Sequence, residues 1–190
     1  MRISDGCPAI DGQALSLRLR GQAQAVTAVA HGGQSGLAGY GYSSAMETIV
    51  SVREVGLRDG LQMLPRVLAT KHKLDWLRAA HAAGLHEVEV GSFVPAKRMP
   101  QLADTAELVA FAKTLPGLKA SVLVPNLKGA ERAIECGAHA MLLPLSASHA
   151  HSLANLKRTP EEVVADLARI VDLRDSKGSD CRVEIGLSTA

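Results

Sequence analysis

Charged side chains stand at the ends of two apolar runs in the middle of the chain. Arg58 and Asp59 adjoin each other in EVGLRDGLQ, residues 54–62, and Glu87 and Glu89 alternate with valines in residues 86–93. An arginine keeps its charge at neutral pH and can stabilise negative charge on a substrate oxygen, whereas an aspartate oxygen suits a hard cation. A surface ion pair at a turn is the alternative for Arg58 and Asp59.

Side-chain alternation predicts which of these charges face inward. In a strand over residues 48–57, Glu54 and Gly56 lie on one face, and Arg58, the next residue after the strand, lies on the same side. Glu89 lies inward in the next strand, and because a buried carboxylate must be paired, we expect Arg58 to be its partner. Glu54 is then either a neighbour of Arg58 and Asp59 in a site or a structural salt-bridge partner.

Apolar runs alternate with helical patterns after Met46. The strands are predicted at residues 48–57, 86–93, 119–126, 139–146 and 181–188. The helices are predicted at residues 70–84, 104–115 and 127–137 and from residue 159 onward. Thr159, Pro160 and Glu162 have the spacing of a capping box with proline in the first turn.

This alternation predicts an α/β fold with parallel strands. Charges on one strand face favour a TIM (β/α)8 barrel over a doubly wound sheet, whose strands are buried on both faces. A barrel needs eight strands and about 250 residues, whereas 145 residues follow the first 45 of this 190-residue chain. We therefore expect only about the first five strands and four helices of a barrel, in a fragment or a truncated product.

Two segments differ in composition. Residues 1–45 are rich in Gly, Ala and Ser and lack a sustained hydrophobic period, which predicts a flexible extension. Residues 46–190 carry all the predicted strands and helices and form the N-terminal portion of the barrel domain.

Bulk properties exclude several classes of function. The formal net charge is +2 with scattered basic residues, which argues against a nucleic-acid partner. No apolar run approaches the roughly 18 residues of a membrane span, so we expect no membrane partner. Cys7, Cys136 and Cys181 are widely spaced and fit neither a disulfide framework nor a structural zinc site, which favours a cytoplasmic protein.

Three motifs in register carry a resemblance to a known family. VREVGLRDGLQ (52–62), VEVGSFVPAKRMPQLAD (88–104) and LVPNLKG (123–129) are similar, in order and spacing, to successive strand-end motifs of 3-hydroxy-3-methylglutaryl-CoA lyases. These enzymes belong to a metal-dependent superfamily of TIM-barrel lyases and synthases. The resemblance extends from about residue 49 to residue 190.

The resemblance implies roles for six residues. Asp59 would be a ligand of a divalent cation, Mg²⁺ or Mn²⁺, and Arg58 and Glu89 would be catalytic. The residues implied to bind substrate are Arg58, Gln62, Ser92 and Asn126. Structural alternatives remain here as well, because Gln62 also suits an ordinary polar loop, Asn126 a helix cap and Glu89 a purely structural ion pair.

The implied reaction is a retro-Claisen cleavage of 3-hydroxy-3-methylglutaryl-CoA to acetyl-CoA and acetoacetate, as in leucine and ketone-body catabolism. The partner would be an acyl-CoA thioester, and a homo-oligomer is left open. Two alternatives remain: a lyase for a related branched 3-hydroxyacyl-CoA, and a truncated inactive remnant that acts only through protein association.

The chain also departs from the family pattern. The family's His-x-His metal ligands come from a later strand, so His149 and His151 are expected in the loop after the fourth strand without binding metal. Cys136 is expected at a helix end and Cys181 at a strand start, and neither replaces the family's catalytic cysteine. With Asp59 alone from the usual ligand set, we expect weak metal binding by this chain by itself.

Overall fold

The structure is a computed structural model that describes residues 51–188. The predicted extension over residues 1–45 lies outside the described residues. The strands are β1 (Arg53–Glu54), β2 (Glu87–Ser92), β3 (Lys119–Leu123), β4 (Ala140–Ser146) and β5 (Arg182–Ser188). The helices are α1 (Thr70–Ala82), α2 (Thr105–Ala112), α3 (Leu127–Cys136), α4 (His149–Leu156) and α5 (Pro160–Ser176). A π-helical turn spans Gly56–Gly60, and a 3₁₀ turn spans Pro100–Leu102.

All five strands are parallel, and their order in the sheet follows the chain, β1-β2-β3-β4-β5. Sequential neighbours joined by helical crossovers are the arrangement of a (β/α)8 barrel wall. The prediction of an α/β fold with five strands of a TIM barrel is therefore confirmed.

The hydrophobic core lies between the sheet and the helices. Val88, Val122 and Met141 project from the outer face of neighbouring strands and are fully buried. Leu77 of α1 and Ile170 of α5 belong to the same buried cluster. No helix among the described residues is both long and apolar enough to cross a bilayer.

Two helix boundaries follow the sequence signals. The Thr159 side chain accepts a hydrogen bond from the Glu162 amide, and the Glu162 carboxylate accepts one from the Thr159 amide. The predicted capping box is thus confirmed. Helix α3 ends at Gly137, whose φ of 71° lies in the left-handed region that glycine adopts without a steric penalty.

The segment after β4 corrects one prediction. His149 and His151 were expected in a loop, but they lie in α4, so the described residues contain five α-helices rather than four. Ser148 caps this helix, since its side chain accepts a hydrogen bond from the His151 amide. The helix has only eight residues, and its mixture of His, Ser, Ala and Asn gave no clear period from which to predict it.

The first strand is also shorter than predicted. It ends at Glu54, because the Glu54 carboxylate accepts a hydrogen bond of 2.6 Å from the Gly56 amide and the chain then enters the π-helical turn. Strand pairing matches Arg53 with Glu87 and Glu54 with Val88. Arg53 therefore faces inward and Glu54 outward, so the expectation that Glu54 shares the inner face with Arg58 is wrong.

An ionic cluster spans the inner face of the sheet. Arg53 on β1 donates hydrogen bonds of 2.7 and 2.8 Å to the Glu184 carboxylate on β5 and one of 2.6 Å to Glu87 on β2. Arg182 reaches both carboxylates, at 2.8 Å for Glu87 and 2.6 Å for Glu184. Because β1 and β5 are the opposite edges of the sheet, the contact between Arg53 and Glu184 shows that the sheet curls into a half-barrel.

The cluster shifts the ionisation of its members. Burial raises the pKa of Glu184, but hydrogen bonds and attraction from Arg53 and Arg182 outweigh burial and hold that pKa below its usual value. Burial likewise lowers the pKa of Arg53, and its contacts with Glu184 and Glu87 more than reverse that effect. The ionised forms are thus favoured on both sides of the pair.

We predict that Glu184→Gln destabilises the fold at neutral pH and does so less in acid. A carboxyl group whose pKa is lower in the folded state stabilises above its unfolded pKa of about 4.3, and this stabilisation is lost as the pH falls through the folded pKa. Urea unfolding at about pH 7 and about pH 3 should therefore show the gap between wild type and variant shrinking in acid. Glu131→Gln at an exposed position of α3 is the control, and a gap that is the same at both pH values would contradict the prediction.

Candidate active site

Arg58 and Glu89 form a bidentate ion pair on the inner side of the sheet. The Arg58 Nε lies 2.7 Å from one Glu89 carboxylate oxygen, and a terminal guanidinium nitrogen lies 3.0 Å from the other. The Glu89 side chain is 2% exposed and that of Arg58 15%. The predicted pairing is therefore present, and its parallel hydrogen bonds fix the plane of the guanidinium.

The π-helical turn brings Arg58 to Glu89. The Arg58 and Asp59 amides both donate to the Val55 carbonyl, at 3.1 and 2.8 Å, which closes the turn directly after β1. Leu57 inside the turn is fully buried and anchors it to the core. The charges of Arg58 and Asp59 thus lie on a rigid turn at the C-terminal end of a strand, where barrel enzymes place their active sites.

A β-bulge in β2 aligns Ser92 with Glu89. Glu89 pairs with Ser121, whereas Ser92 pairs with Leu123 after a register shift between Glu89 and Gly91. Ser121 and Leu123 are two residues apart on β3, so Glu89 and Ser92 share one face although they are three apart. The shift turns Gly91 toward Thr105 of α2, where an added Cβ would collide with the threonine hydroxyl.

Asp59 and Gln62 form the outer part of the site. One carboxylate oxygen of Asp59 accepts hydrogen bonds from Arg58 at 2.8 Å and from the Gln62 side chain at 3.0 Å. The Asp59 side chain is 55% exposed. Gln62 thus orients Asp59, a contact that the sequence did not indicate, and its predicted role in substrate binding stays a prediction.

The donor chemistry at Asp59 fits a divalent cation in part. A carboxylate oxygen at an accessible strand end is the hard ligand that Mg²⁺ or Mn²⁺ prefers. Among residues 51–188, however, no group of three or more His, Cys, Asp or Glu side chains is placed to hold a metal ion. The role of Asp59 as a metal ligand therefore stays a prediction.

Ser92 and Asn126 lie at the ends of β2 and β3 with structural contacts of their own. The Ser92 hydroxyl accepts a hydrogen bond of 3.1 Å from the Val94 amide. The Ser92 amide donates a hydrogen bond to the Thr105 hydroxyl, which donates one to the Ser92 carbonyl. The Asn126 side chain accepts one of 3.0 Å from the Gly129 amide and caps α3. The cap predicted as the alternative for Asn126 is present, and substrate binding by Ser92 and Asn126 stays a prediction.

A buried lysine holds the loops that carry these residues. Lys73 of α1 is 1% exposed, and its ammonium group donates to both Asp104 oxygens, at 2.6 and 2.8 Å, and to the Gln101 carbonyl at 2.7 Å. Gln101 in turn donates to the Leu64 carbonyl at 2.7 Å. The loop after β2 is thereby fastened both to α1 and to the segment that follows the π-helical turn.

Sequence reasoning did not identify Lys73, although the sequence contains a signal for it. Lys73 lies on the same helical face as Leu77 and Ala80, which are buried. A lysine in an apolar stripe requires an anionic partner. Its partner Asp104 lies 31 residues further along the chain, with no pattern that connects the two. The signal therefore indicates a buried ion pair without indicating its partner.

We predict that Lys73→Ala lowers the free energy of unfolding by about 3 kcal/mol, because removal of one partner leaves the other charge buried and unpaired. Lys71→Ala on the same helix is the matched control, since Lys71 forms an exposed pair with Asp75 and should leave the denaturation midpoint nearly unchanged. Chemical denaturation of both variants measures the difference. Equal losses would show that the Lys73 pair contributes nothing specific.

Two cysteines lie within the described residues, and neither is activated. Burial raises the pKa of the Cys181 thiol to about 11 and also raises that of Cys136. A thiol becomes a nucleophile or a metal ligand as the thiolate, which a raised pKa disfavours at neutral pH. Cys136 ends α3 and Cys181 immediately precedes β5, as predicted.

Comparison with known proteins places this arrangement in a family. A family model described as HMGL-like matches residues 50–190. The chain belongs to the HMGL-like family. Membership confirms the resemblance drawn from the three strand-end motifs, and the matched region includes every strand and helix described above.

Curated relatives are similar over the same region. The mitochondrial hydroxymethylglutaryl-CoA lyase of Arabidopsis thaliana is 39% identical over 120 residues, which are 63% of this chain and 26% of the relative. A 3-hydroxy-3-isohexenylglutaryl-CoA/hydroxymethylglutaryl-CoA lyase of Pseudomonas aeruginosa is 41% identical over 107 residues, 56% of this chain and 36% of the relative. The chain thus spans less than half the length of these relatives.

Solved structures agree with the fold assignment. An HMG-CoA lyase from Acinetobacter baumannii, in complex with coenzyme A and 3-methylmalate, superposes with a TM-score of 0.64 at 34% identity, covering 75% of this chain and 47% of that one. The HMG-CoA lyase of Bacillus subtilis also gives a TM-score of 0.64, at 30% identity, with 71% and 45% coverage. The half-barrel therefore corresponds to about half of each relative.

Proposed function

We propose that the complete protein containing this chain is a divalent-metal-dependent lyase that cleaves 3-hydroxy-3-methylglutaryl-CoA to acetyl-CoA and acetoacetate. The observation that supports it is the Arg58–Glu89 pair beside Asp59, on a half-barrel that belongs to the HMGL-like family. In a retro-Claisen cleavage the C2–C3 bond breaks, and its electrons move toward the thioester carbonyl. The site must therefore stabilise an enolate oxygen.

Arg58 is suited to that task. Glu89 and Asp59 occupy three of its five N–H groups, which leaves two for a substrate oxygen. Its guanidinium is already oriented by Glu89, so the site does not reorganise as charge develops, which is the condition for strong electrostatic catalysis. In this proposal Arg58 stabilises the enolate oxygen, and Glu89 is catalytic together with it.

Asp59 is proposed to contribute one ligand to Mg²⁺ or Mn²⁺. The chemistry that such a cation would supply is that of a Lewis acid, which makes the proton of the substrate hydroxyl easier to remove. The hydrogen bonds from Arg58 and Gln62 fall on a single Asp59 oxygen and restrict its side-chain rotation, as partners beyond the ligand shell do in known metal sites. Gln62, Ser92 and Asn126 are proposed to bind substrate.

The cellular setting follows from the same proposal. The substrate would be an acyl-CoA thioester of leucine-type catabolism, and the A. baumannii structure is described as a complex with coenzyme A. We propose a cytoplasmic location, in view of the two cysteines that lie free in the described part of the chain. A homo-oligomer is compatible with the proposal.

An activity assay on the complete protein tests the function. We expect acetoacetate to form from 3-hydroxy-3-methylglutaryl-CoA in the presence of Mg²⁺ and to disappear when a chelator removes the metal. A related branched 3-hydroxyacyl-CoA is assayed in parallel. Turnover of only that substrate would favour the alternative lyase, and no turnover of either would favour an inactive remnant.

Two substitutions at Arg58 separate its chemistry from its structural role. We predict that Arg58→Lys lowers kcat by about 10²- to 10³-fold, because an ammonium cannot reproduce the oriented fork of donors. Arg58→Gln should lower kcat at least as much and also cost about 3 kcal/mol of stability, since the buried Glu89 carboxylate loses its cation. Steady-state kinetics and urea unfolding measure both effects. A near-normal kcat in Arg58→Lys would refute the assigned role.

A further inference from the structure

A second polar cluster lies at the end of β4. The Ser146 hydroxyl oxygen lies 2.7 Å from Nδ1 of His151, and the Asn155 amide nitrogen lies 2.7 Å from Nε2 of the same ring. His151 and Asn155 are four residues apart on α4 and so lie on one face of the helix. Ser146 itself is 4% exposed.

Strand register places Ser146 on the inner face of the half-barrel. Leu142 pairs with Glu184, whose carboxylate meets Arg53 across the inner face. Side chains two residues apart share a face, so Leu142, Pro144 and Ser146 form one inward row. Ser146 ends this row at the C-terminal edge of the sheet, which is the edge at which Ser92 ends β2.

The hydrogen bonds set the direction in which Ser146 donates. The Asn155 amide nitrogen is a donor that lies 2.7 Å from Nε2 of His151 and 3.3 Å from Nδ1, and the tautomer in which the nearer Nε2 accepts and Nδ1 carries the proton fits these contacts. That proton points at the Ser146 oxygen, which therefore accepts. The amide orientation and the tautomer are assigned from the network of contacts. The serine O–H is consequently left to donate to another group.

We propose that Ser146, oriented by His151 and Asn155, is a substrate-binding residue that donates a hydrogen bond to a carboxylate or carbonyl oxygen in the acyl part of an acyl-CoA. This inference rests on the proposed function and deepens it. The position of the donor, on the inner face at the edge where Arg58 and Ser92 lie, is the observation that carries it.

The acyl part fits this cluster better than the phosphates of coenzyme A. Recognition of phosphate normally uses cationic side chains, whereas Ser146 offers a neutral hydroxyl group. A buried neutral hydroxyl instead discriminates between acyl groups that do and do not offer an oxygen.

The test uses the complete protein with Ser146→Ala. We expect KM for 3-hydroxy-3-methylglutaryl-CoA to rise about tenfold, the effect of losing one hydrogen bond to a charged oxygen. The dissociation constant for free coenzyme A, which lacks the acyl group, should remain at the wild-type value. A parallel weakening of coenzyme A binding would overturn the assignment to the acyl part.

A second variant examines whether His151 acts through Ser146. His151→Phe removes both ring nitrogens, and we expect a smaller rise in KM because the serine remains but is no longer oriented. The double variant Ser146→Ala/His151→Phe should be no worse than Ser146→Ala alone, as expected when two residues act as one unit. Additive effects would overturn the proposed chain of contacts.

Ser148→Ala is the matched control on the same helix. Ser148 caps α4 by accepting from the His151 amide, so this variant weakens the helix end without removing the proposed donor. It should lower thermal stability and leave KM unchanged. Wild-type protein without turnover would refute the proposed function, whereas wild-type turnover with an unaltered KM in Ser146→Ala would refute this inference alone.

Discussion

Two carboxylates on one strand, Glu87 and Glu89 of β2, are the constraint from which the rest of the half-barrel follows. Both point to the inner face of the sheet and are almost fully buried, and a buried carboxylate is costly unless a cation reaches it. Arg58, on the turn after β1, forms an ion pair with Glu89. Arg53 and Arg182, on the two edge strands, form ion pairs with Glu87. Such pairing across the inner face is possible only in a curled sheet.

The same pairing connects stability with the proposed chemistry. Arg58 cannot turn toward solvent without leaving Glu89 unpaired, so its guanidinium is fixed before any substrate arrives. The loops around it are fixed by a different charge, the buried ammonium of Lys73, which joins Asp104 and the Gln101 carbonyl. These ion pairs thus provide a rigid position for the cation that is proposed to be catalytic.

The outer face of the last strand shows where this half-barrel is open. Ile185 is 43% and Leu187 66% exposed on β5, whereas their partners on β4 are better covered: Leu143 is 2% exposed and Leu145 is partly buried against the core. In a closed barrel the helix that follows a strand covers this face. This agrees with the coverage of the relatives, of which the chain spans about half in the superposed structures.

The sequence by itself determined the parallel α/β architecture, the capping box at Thr159 and the pairing of Arg58 with Glu89, because these depend on local periodicity and on the rule that buried charges must be compensated. It did not determine where β1 ends, since alternating apolar residues fit a π-helical turn as well as a strand. Only the tertiary structure decided which partners Lys73, Arg53 and Ser146 have. Those contacts join residues that are brought together by the curvature of the sheet, by the β-bulge or by a short helix, and none of these leaves a pattern along the chain.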